Sequence, residues 1–347
     1  MGYSIDILNN IRLNSSAEYQ ERIPEATQTN LTMIGQALQT YTMLANEFNT
    51  NLFNKIGKTI IDQQMFKNKL ERFKSGSVVS PHDVEEIFME MAKAEGAFDP
   101  QGTNPLGRRP EIPVHVIYHR QNRQDKYVIS IGDLDFVRVF RSEATLDTFI
   151  KGKINAVYSG DARDEYLCMK NLLATYKNKD GSGLGYFDYE VAELEDKQAF
   201  AKGFVKTLRK AVLDLTTELD TKYNVAGVER QSETKDLVLL VHKDVVAEVD
   251  VELLAKAFHQ SNTDMNVVPT IITMGDFGSL TDTYGLLVEK DWFRVWDTLM
   301  HMEPQRNADG LFTNYFYHHH QILSASLFKN AVRFKKVTAK ILWWLKR

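Results

Sequence analysis

The sequence is short of cysteine, of net charge, of long apolar runs and, outside one stretch, of proline, and each shortage excludes something. Cys168 is the single cysteine among 347 residues, so no intrachain disulfide can form and a disulfide-built secreted scaffold is ruled out. A lone cysteine inside a helical pattern reads most simply as a small buried apolar residue. The formal net charge is only -4, which argues against a dedicated nucleic-acid binder, since that class carries a basic excess or patch. No stretch approaches the length of a membrane span, and the opening MGYSIDILNNIR puts Asp6 and several Asn where a signal peptide needs an uninterrupted apolar run. Synthesis in the cytosol is therefore expected. What is present, 43% hydrophobic and 25% charged residues, is the composition of an ordinary folded chain, long enough for about two domains.

Proline is concentrated rather than scattered. Four of the eight prolines, Pro100, Pro105, Pro110 and Pro113, fall in FDPQGTNPLGRRPEIP with Gly102 and Gly107. Each lacks a backbone donor and restricts the residue before it, so the segment reads as a long exposed loop. Before it, Val84, Ile87, Phe88 and Met91 stand at helical spacing, while Ile87, Met89 and Met91 also alternate as in a strand. After it come three short β-rich runs, VHVIYH, KYVISI and FVRVF. Residues 76–135 together read as a projecting ribbon.

Helical periodicity flanks that ribbon. Leu31, Ile34, Leu38, Tyr41, Leu44, Phe48 and Leu52 mark one face of a helix or helix pair. From about Ser142 to Tyr176, Leu146, Phe149, Ile150, Ile154, Val157 and Tyr158 begin a long helix, with a break expected at Ser159-Gly160-Asp161. Glycines 181, 183 and 185 then read as a flexible connector to a second helix carrying Phe204, Leu208, Val212 and Leu215 on one face. DLVLLVH, VVPTIITMG and YGLLVEK read as strands, VDVELLAKAFH as a short helix, and LFTNYFYHHHQILSASLFKNAVRF as a long aromatic β-rich element.

Catalytic signatures are mostly missing. Gly57-Lys58-Thr59 lacks the first glycine of a phosphate-binding loop, since Leu52 stands in that place, and it lies inside a helical pattern. His318 and His320 would share one side of a strand, yet no carboxylate or cysteine lies close in sequence to complete a metal site. Packing with Tyr315, Phe316 and Tyr317 at an interface is the simpler reading. There is no G-x-S-x-G elbow and no H-E-x-x-H. The basic, tryptophan-bearing end KKVTAKILWWLKR suits a membrane surface or nucleic acid, but docking on the body or on a neighbouring subunit is favoured.

Several long blocks carry a resemblance. EVDVELLAKAFHQSNTD and LLVEKDWFRVWDTLMHMEPQRNADGLFTNYFYHHHQILSASLFKNAVRF, with YHRQNRQDKY, INAVYSGDARDEYLCMKNLL, NLFNKIGK and SIDILNNIR upstream, are similar in order and content to the major head proteins of short-tailed phages of the phi-twenty-nine type. The likeness runs to about Phe334. It implies an α+β chain with the Hong Kong 97-type capsid fold: an N-terminal arm, an extended loop, a peripheral domain with a long spine helix, and an axial domain. On this sequence those parts would be residues 1–75, 76–135, 136–197 with 311–347, and 198–310. Some relatives carry a further immunoglobulin-like domain, and this chain stops shortly after the shared region.

The resemblance implies a protein of the virion, made in the host cytoplasm, that assembles into an icosahedral or elongated shell around double-stranded DNA. Its partners would be copies of itself in pentamers and hexamers, a scaffolding protein, a portal protein and head fibres, with non-specific contact to packaged DNA and no membrane. No catalysis, cofactor or metal is implied. A cellular nanocompartment shell on the same fold, or a metal-dependent enzyme using the histidine run, are the alternatives. Contacts between subunits are expected from Arg108 and Arg109 at the loop tip pairing with Glu85, Glu86 and Glu90 of a neighbour. Such surface pairs contribute about 0–1 kcal/mol each and would set register more than strength. Trp292, Trp296, Tyr315 and Tyr317 would supply apolar burial, either between subunits or within the chain.

Overall fold

Apolar residues at steps of three and four set the N-terminal helices α1 (Tyr3–Leu13), α2 (Ala17–Arg22), α3 (Leu31–Thr40) and α4 (Thr42–Thr59). The computed structural model describes residues 3–59, 66–78, 83–94, 100–101, 111–132, 139–141, 152, 155–249 and 270–338. The Ser16 hydroxyl accepts the Tyr19 N–H at 3.2 Å and so caps α2. The periodic face from Leu31 to Leu52 is divided between α3 and α4 at Tyr41, an exposed residue, while Leu31, Ile34, Leu38, Leu44, Phe48 and Leu52 are buried.

The regular elements of the ribbon region's described part are all strands: β1 (Gly76–Ser77), β2 (Val84–Met89), β3 (Val114–His119) and β4 (Arg123–Gly132). Of the two spacings open for Val84 to Met91, alternation prevails. Helix α5 (Asn155–Thr175) follows, and it runs unbroken through Ser159, Gly160 and Asp161, where the sequence suggested an interruption. An interior glycine disfavours helix by about 1 kcal/mol relative to alanine. Here the turn is held from outside, because Asp161 points into a buried set of partners and Gly160 faces the Tyr127 ring.

Glycines 181 to 185 do not form a loose connector. Gly181 N–H and Gly185 N–H donate to the carbonyls of Asn178 and Tyr176 at 2.8 and 3.0 Å, and Lys177 bridges Leu184. A Cβ at Gly185 would lie 2.6–2.9 Å from Val225, Tyr176 and the Lys177 carbonyl, so only glycine fits this close approach. The chain continues through β5 (Phe187–Glu193), α6 (Lys197–Thr217), β6 (Leu237–His242), α7 (Lys243–Glu248), β7 (Thr270–Met274), β8 (Thr283–Glu289), β9 (Phe293–Asn307), β10 (Phe312–Ala325) and β11 (Ala331–Thr338). Beyond Val249 the helix expected at VDVELLAKAFH, most of FVRVF, and the basic C-terminal segment after Thr338 lie outside the described residues.

Two main sheets organise these strands. One has the order β1-β9-β10-β4 and the other β5-β11-β8-β6-β7; β2 and β3 form a separate pair. The pairing cuts across the spans suggested by the resemblance, since β9 lies beside β10 while β11 returns to the sheet of β6, β7 and β8. Strand β6 is apolar on both sides because both are covered: Leu237, Leu239 and Val241 face α6 and α7, and Val238 and Leu240 face Met169 and Leu173 of α5. At its other end α5 puts Val157 and Tyr158 into a third cluster, where α1–α4 cover Ile131, Met302, Tyr315 and Tyr317 of the four-stranded sheet. The long helix thus spans both sheets.

Candidate assembly surface

Both feet of the ribbon are fastened to one sheet. On entry, β1 runs parallel to β9, with Ser75 N–H donating to Val295 O at 2.7 Å and Val78 N–H to Asp297 O at 2.9 Å. On exit, the Asn122 amide donates to Leu323 O at 2.7 Å and accepts from Leu323 N–H at 2.8 Å, mimicking a strand partner for β10. Between the feet, β2 and β3 pair antiparallel with Ile87 opposite Val116 and Met89 opposite Val114.

Period-two alternation gives the pair two faces of opposite character. The inner face lies on the body. Phe88 stacks on Phe328 with centroids 5.6 Å apart. Glu86 accepts from His119 Nε2–H at 3.0 Å, from Arg294 at 2.6 Å and from the Ser326 hydroxyl at 2.9 Å. The other His119 nitrogen lies 2.7 Å from the Ser324 hydroxyl. Burial works to raise the Glu86 pKa, but the bonds from His119 and Arg294 outweigh it and hold it down at about 2. The outer face carries Ile87, Met89, Val114, Val116 and Tyr118, which are 42–61% exposed. Five large apolar side chains in contiguous cross-strand positions exceed the scattered singles of an ordinary surface.

A second buried charge cluster ties the four-stranded sheet to α5. His319, 1% exposed, meets Asp161 through Nδ1 at 2.7 Å and Asp297 through Nε2 at 3.1 Å. Two carboxylates require both ring nitrogens to donate, so the ring is held as a cation; burial opposes this and the two aspartates prevail, raising the His319 pKa. Lys74 bonds Asp297 at 2.8 Å and Glu165 at 3.1 Å, and Arg123 bonds Asp161 at 2.7 Å. Asp297 is pushed below the usual carboxylate range by His319 and Lys74 against the effect of burial. Lys74 and Asp297 sit at the foot of the ribbon, so this cluster joins that foot to the helix.

The candidates from the sequence separate on these faces. Glu85 is on the outer side, where it accepts from the Tyr118 hydroxyl at 3.2 Å. Glu90 lies 2.9 Å from His115. Glu86 is committed inside the chain and does not belong to an outward acidic face, because alternation turns it toward Arg294. Trp292, Tyr315 and Tyr317 are buried in the chain's own core: Trp292 packs on Tyr176 and Phe293, and Tyr317 on Tyr158. Of the two settings open for these three, the intrachain one holds. Trp296 is half-buried against His119. Arg108 and Arg109 lie outside the described residues. His318 and His320 share one sheet face with rings 6.2 Å apart. It is the intervening His319, turned to the other face, that finds carboxylates, and these come from residues 158 and 22 positions away.

A family model described as "Phi29-like phage major capsid protein" matches residues 8–335. The chain belongs to that family. The major capsid protein of Bacillus phage B103 is 34% identical over 336 residues, spanning 95% of this chain and 72% of that protein. The major capsid protein of Streptococcus phage Cp-1 is 28% identical over 348 residues, covering 94% and 93% of the two chains. Among solved structures, the capsid of Staphylococcus phage Andhra superposes with a TM-score of 0.60 at 10% identity over 78% of this chain and 85% of that one. At that identity the likeness concerns the fold, which is the Hong Kong 97 type of phage shells. A member of this family is a structural component of the virion capsid, and the exposed apolar side of the ribbon is read on that basis.

Proposed function

We propose that the outer face of the β2–β3 ribbon packs on a second copy of the chain and is a principal contact of the shell lattice. The observation that carries this reading is the split character of the ribbon: its inner face is bonded to the body through Glu86, while Ile87, Met89, Val114, Val116 and Tyr118 stay exposed. A shell subunit meets several neighbours at different angles, and a ribbon held to the body by its feet and inner face still presents its outer face to them. Glu85 and Glu90 remain the acids suited to pair with Arg108 and Arg109 of a neighbour, with Glu86 withdrawn. The peripheral and axial parts are best divided along the two sheets, with β9 and β10 in one and β11 in the other.

The same reading takes a scaffolding protein, a portal, head fibres and packaged double-stranded DNA as partners. A net charge of -4 suits a container wall that must release its DNA, because a strongly basic lining would retain it. The role is structural and involves no catalytic step. Co-expression with the cognate scaffold, followed by electron microscopy, tests it. Uniform closed shells are expected from the wild type and none from Ile87→Glu/Val116→Glu. Shells of normal yield from that variant would remove the ribbon from the lattice contacts.

A further inference from the structure

A cleft of about 270 Å³ opens where β5 and β11 end, β8 begins and α7 crosses, away from both charge clusters described above. Its lining brings together Glu193, Asp244 and Glu248, opposed by one lysine, Lys336. Lys336 is engaged by Glu193. Among the described residues Glu248 pairs only with the largely exposed Lys197, at 4.0 Å, and Asp244 only with His242, at 3.4 Å. The mouth therefore keeps a surplus of negative charge.

Acidic residues on a surface need no ligand, but the floor of this cleft carries a second feature. Thr283 lines it, is 5% exposed, and its Oγ1 has no hydrogen-bond partner among the described residues. An unpaired buried hydroxyl is destabilising, whereas a ligand N–H would satisfy it. The wall beside it is aromatic, with the Phe200 and Tyr284 rings edge to face at 5.0 Å. That surface suits an alkyl stem or the flat face of a guanidinium. Among the described residues no group of three His, Cys, Asp or Glu side chains is placed to hold a metal ion, so the chemistry favours an organic cation.

We propose that this cleft binds an ammonium or guanidinium carried on an alkyl stem, with the stem on Phe200 and Tyr284, the charge toward Asp244 and Glu248, and an N–H donated to Thr283 Oγ1. The cation is either a free polyamine or a lysine or arginine side chain of a second copy. The site stands apart from the ribbon contact and does not depend on it.

Calorimetric titration of the unassembled full chain with agmatine tests the proposal. Saturable binding by the wild type is expected, weakened about tenfold or more in Asp244→Asn/Glu248→Gln and in Thr283→Val, and reduced by salt. Thr283→Val carries the sharper readout. It removes an unpaired hydroxyl, so the free variant should melt at or above the wild-type temperature while agmatine binding falls. A threonine with a purely structural role would not separate the two. Absence of binding to the wild type, or equal affinity in all variants, overturns the site. A further arm distinguishes the sources: agmatine that slows scaffold-directed assembly assigns the cation to a second copy, and unchanged assembly alongside binding assigns it to a free amine. Failure of the ribbon contact would appear as shells of normal yield from Ile87→Glu/Val116→Glu, a result independent of the titration.

Discussion

In the five-stranded sheet, β6 buries Leu237, Leu239 and Val241 on one side and Val238 and Leu240 on the other, all against helices of the same chain. In the β2–β3 ribbon, the same alternation buries Glu86 and Phe88 against the body but leaves Ile87, Met89, Val114 and Val116 facing outward. Both are β-structures rich in β-branched and apolar residues. They differ in where the partner for the second face comes from. Within the sheet it is intrachain; for the ribbon, on the contact proposed above, it is supplied by another molecule. Stability of the folded chain and competence to assemble are therefore carried by different residues, and substitutions can separate them.

The largest expected effect is on assembly. Ile87→Glu/Val116→Glu should reduce closed shells by an order of magnitude or more, since charge in the centre of an apolar contact is strongly unfavourable. Its thermal midpoint should stay within a few degrees of wild type, and a collapse in stability would erase the contrast. Leu240→Ala should do the reverse. A cost of about 2–5 kcal/mol in denaturant unfolding is expected from the lost burial and the cavity, and a midpoint at the wild-type denaturant concentration would show the sheet to be less tightly closed than its packing suggests.

Acid acts at the ribbon's inner face. The Glu86 pKa is lowered from 4.5 to about 2 in the folded chain, so its contribution is complete above pH 4.5 and is lost as the pH falls toward 2. The full contribution amounts to roughly 3 kcal/mol. Glu86→Gln should be destabilised at neutral pH and show a flatter stability profile through that window; an unchanged profile would mean that Arg294 and His119 do not hold the carboxylate. His319 has the opposite sign. Its pKa is raised above 6.5, so its contribution is complete below pH 6.5 and declines as the pH rises through the folded value. His319→Gln should lack that alkaline decline, as read by hydrogen exchange in α5. The smallest effect belongs to Met89→Ala, within about 0.5 kcal/mol of wild type in the unassembled chain because the side chain touches little of its own body.

Much of this contrast was legible in the sequence. The proline cluster and the alternation of Ile87, Met89 and Met91 pointed to a ribbon, and the steps of Phe204, Leu208, Val212 and Leu215 marked the buried face of α6. The family likeness placed the fold. What stayed hidden depends on separations in sequence that no local pattern encodes. Glu86 looked like one of three equivalent acids, and only the approach of Arg294, 208 residues on, made it internal. His319 was overlooked in favour of its neighbours because Asp161 and Asp297 lie on other elements. The glycines at 181–185 looked loose because the side chain that crowds Gly185, Val225, belongs to a distant turn. Asp161 looked like part of a helix break, whereas its carboxylate is buried in the helix and needs the partners it finds there.

The double fastening of the ribbon has a mechanical consequence. Its feet are clamped to β9 and β10, and Lys74 and Asp297 at one clamp link through His319 to Asp161 on the long helix. On the contact proposed above, a neighbour that pulls on the outer face therefore loads α5 through the bonded charges at that clamp. Because α5 packs on both sheets, that load would be shared between them rather than stay in the ribbon.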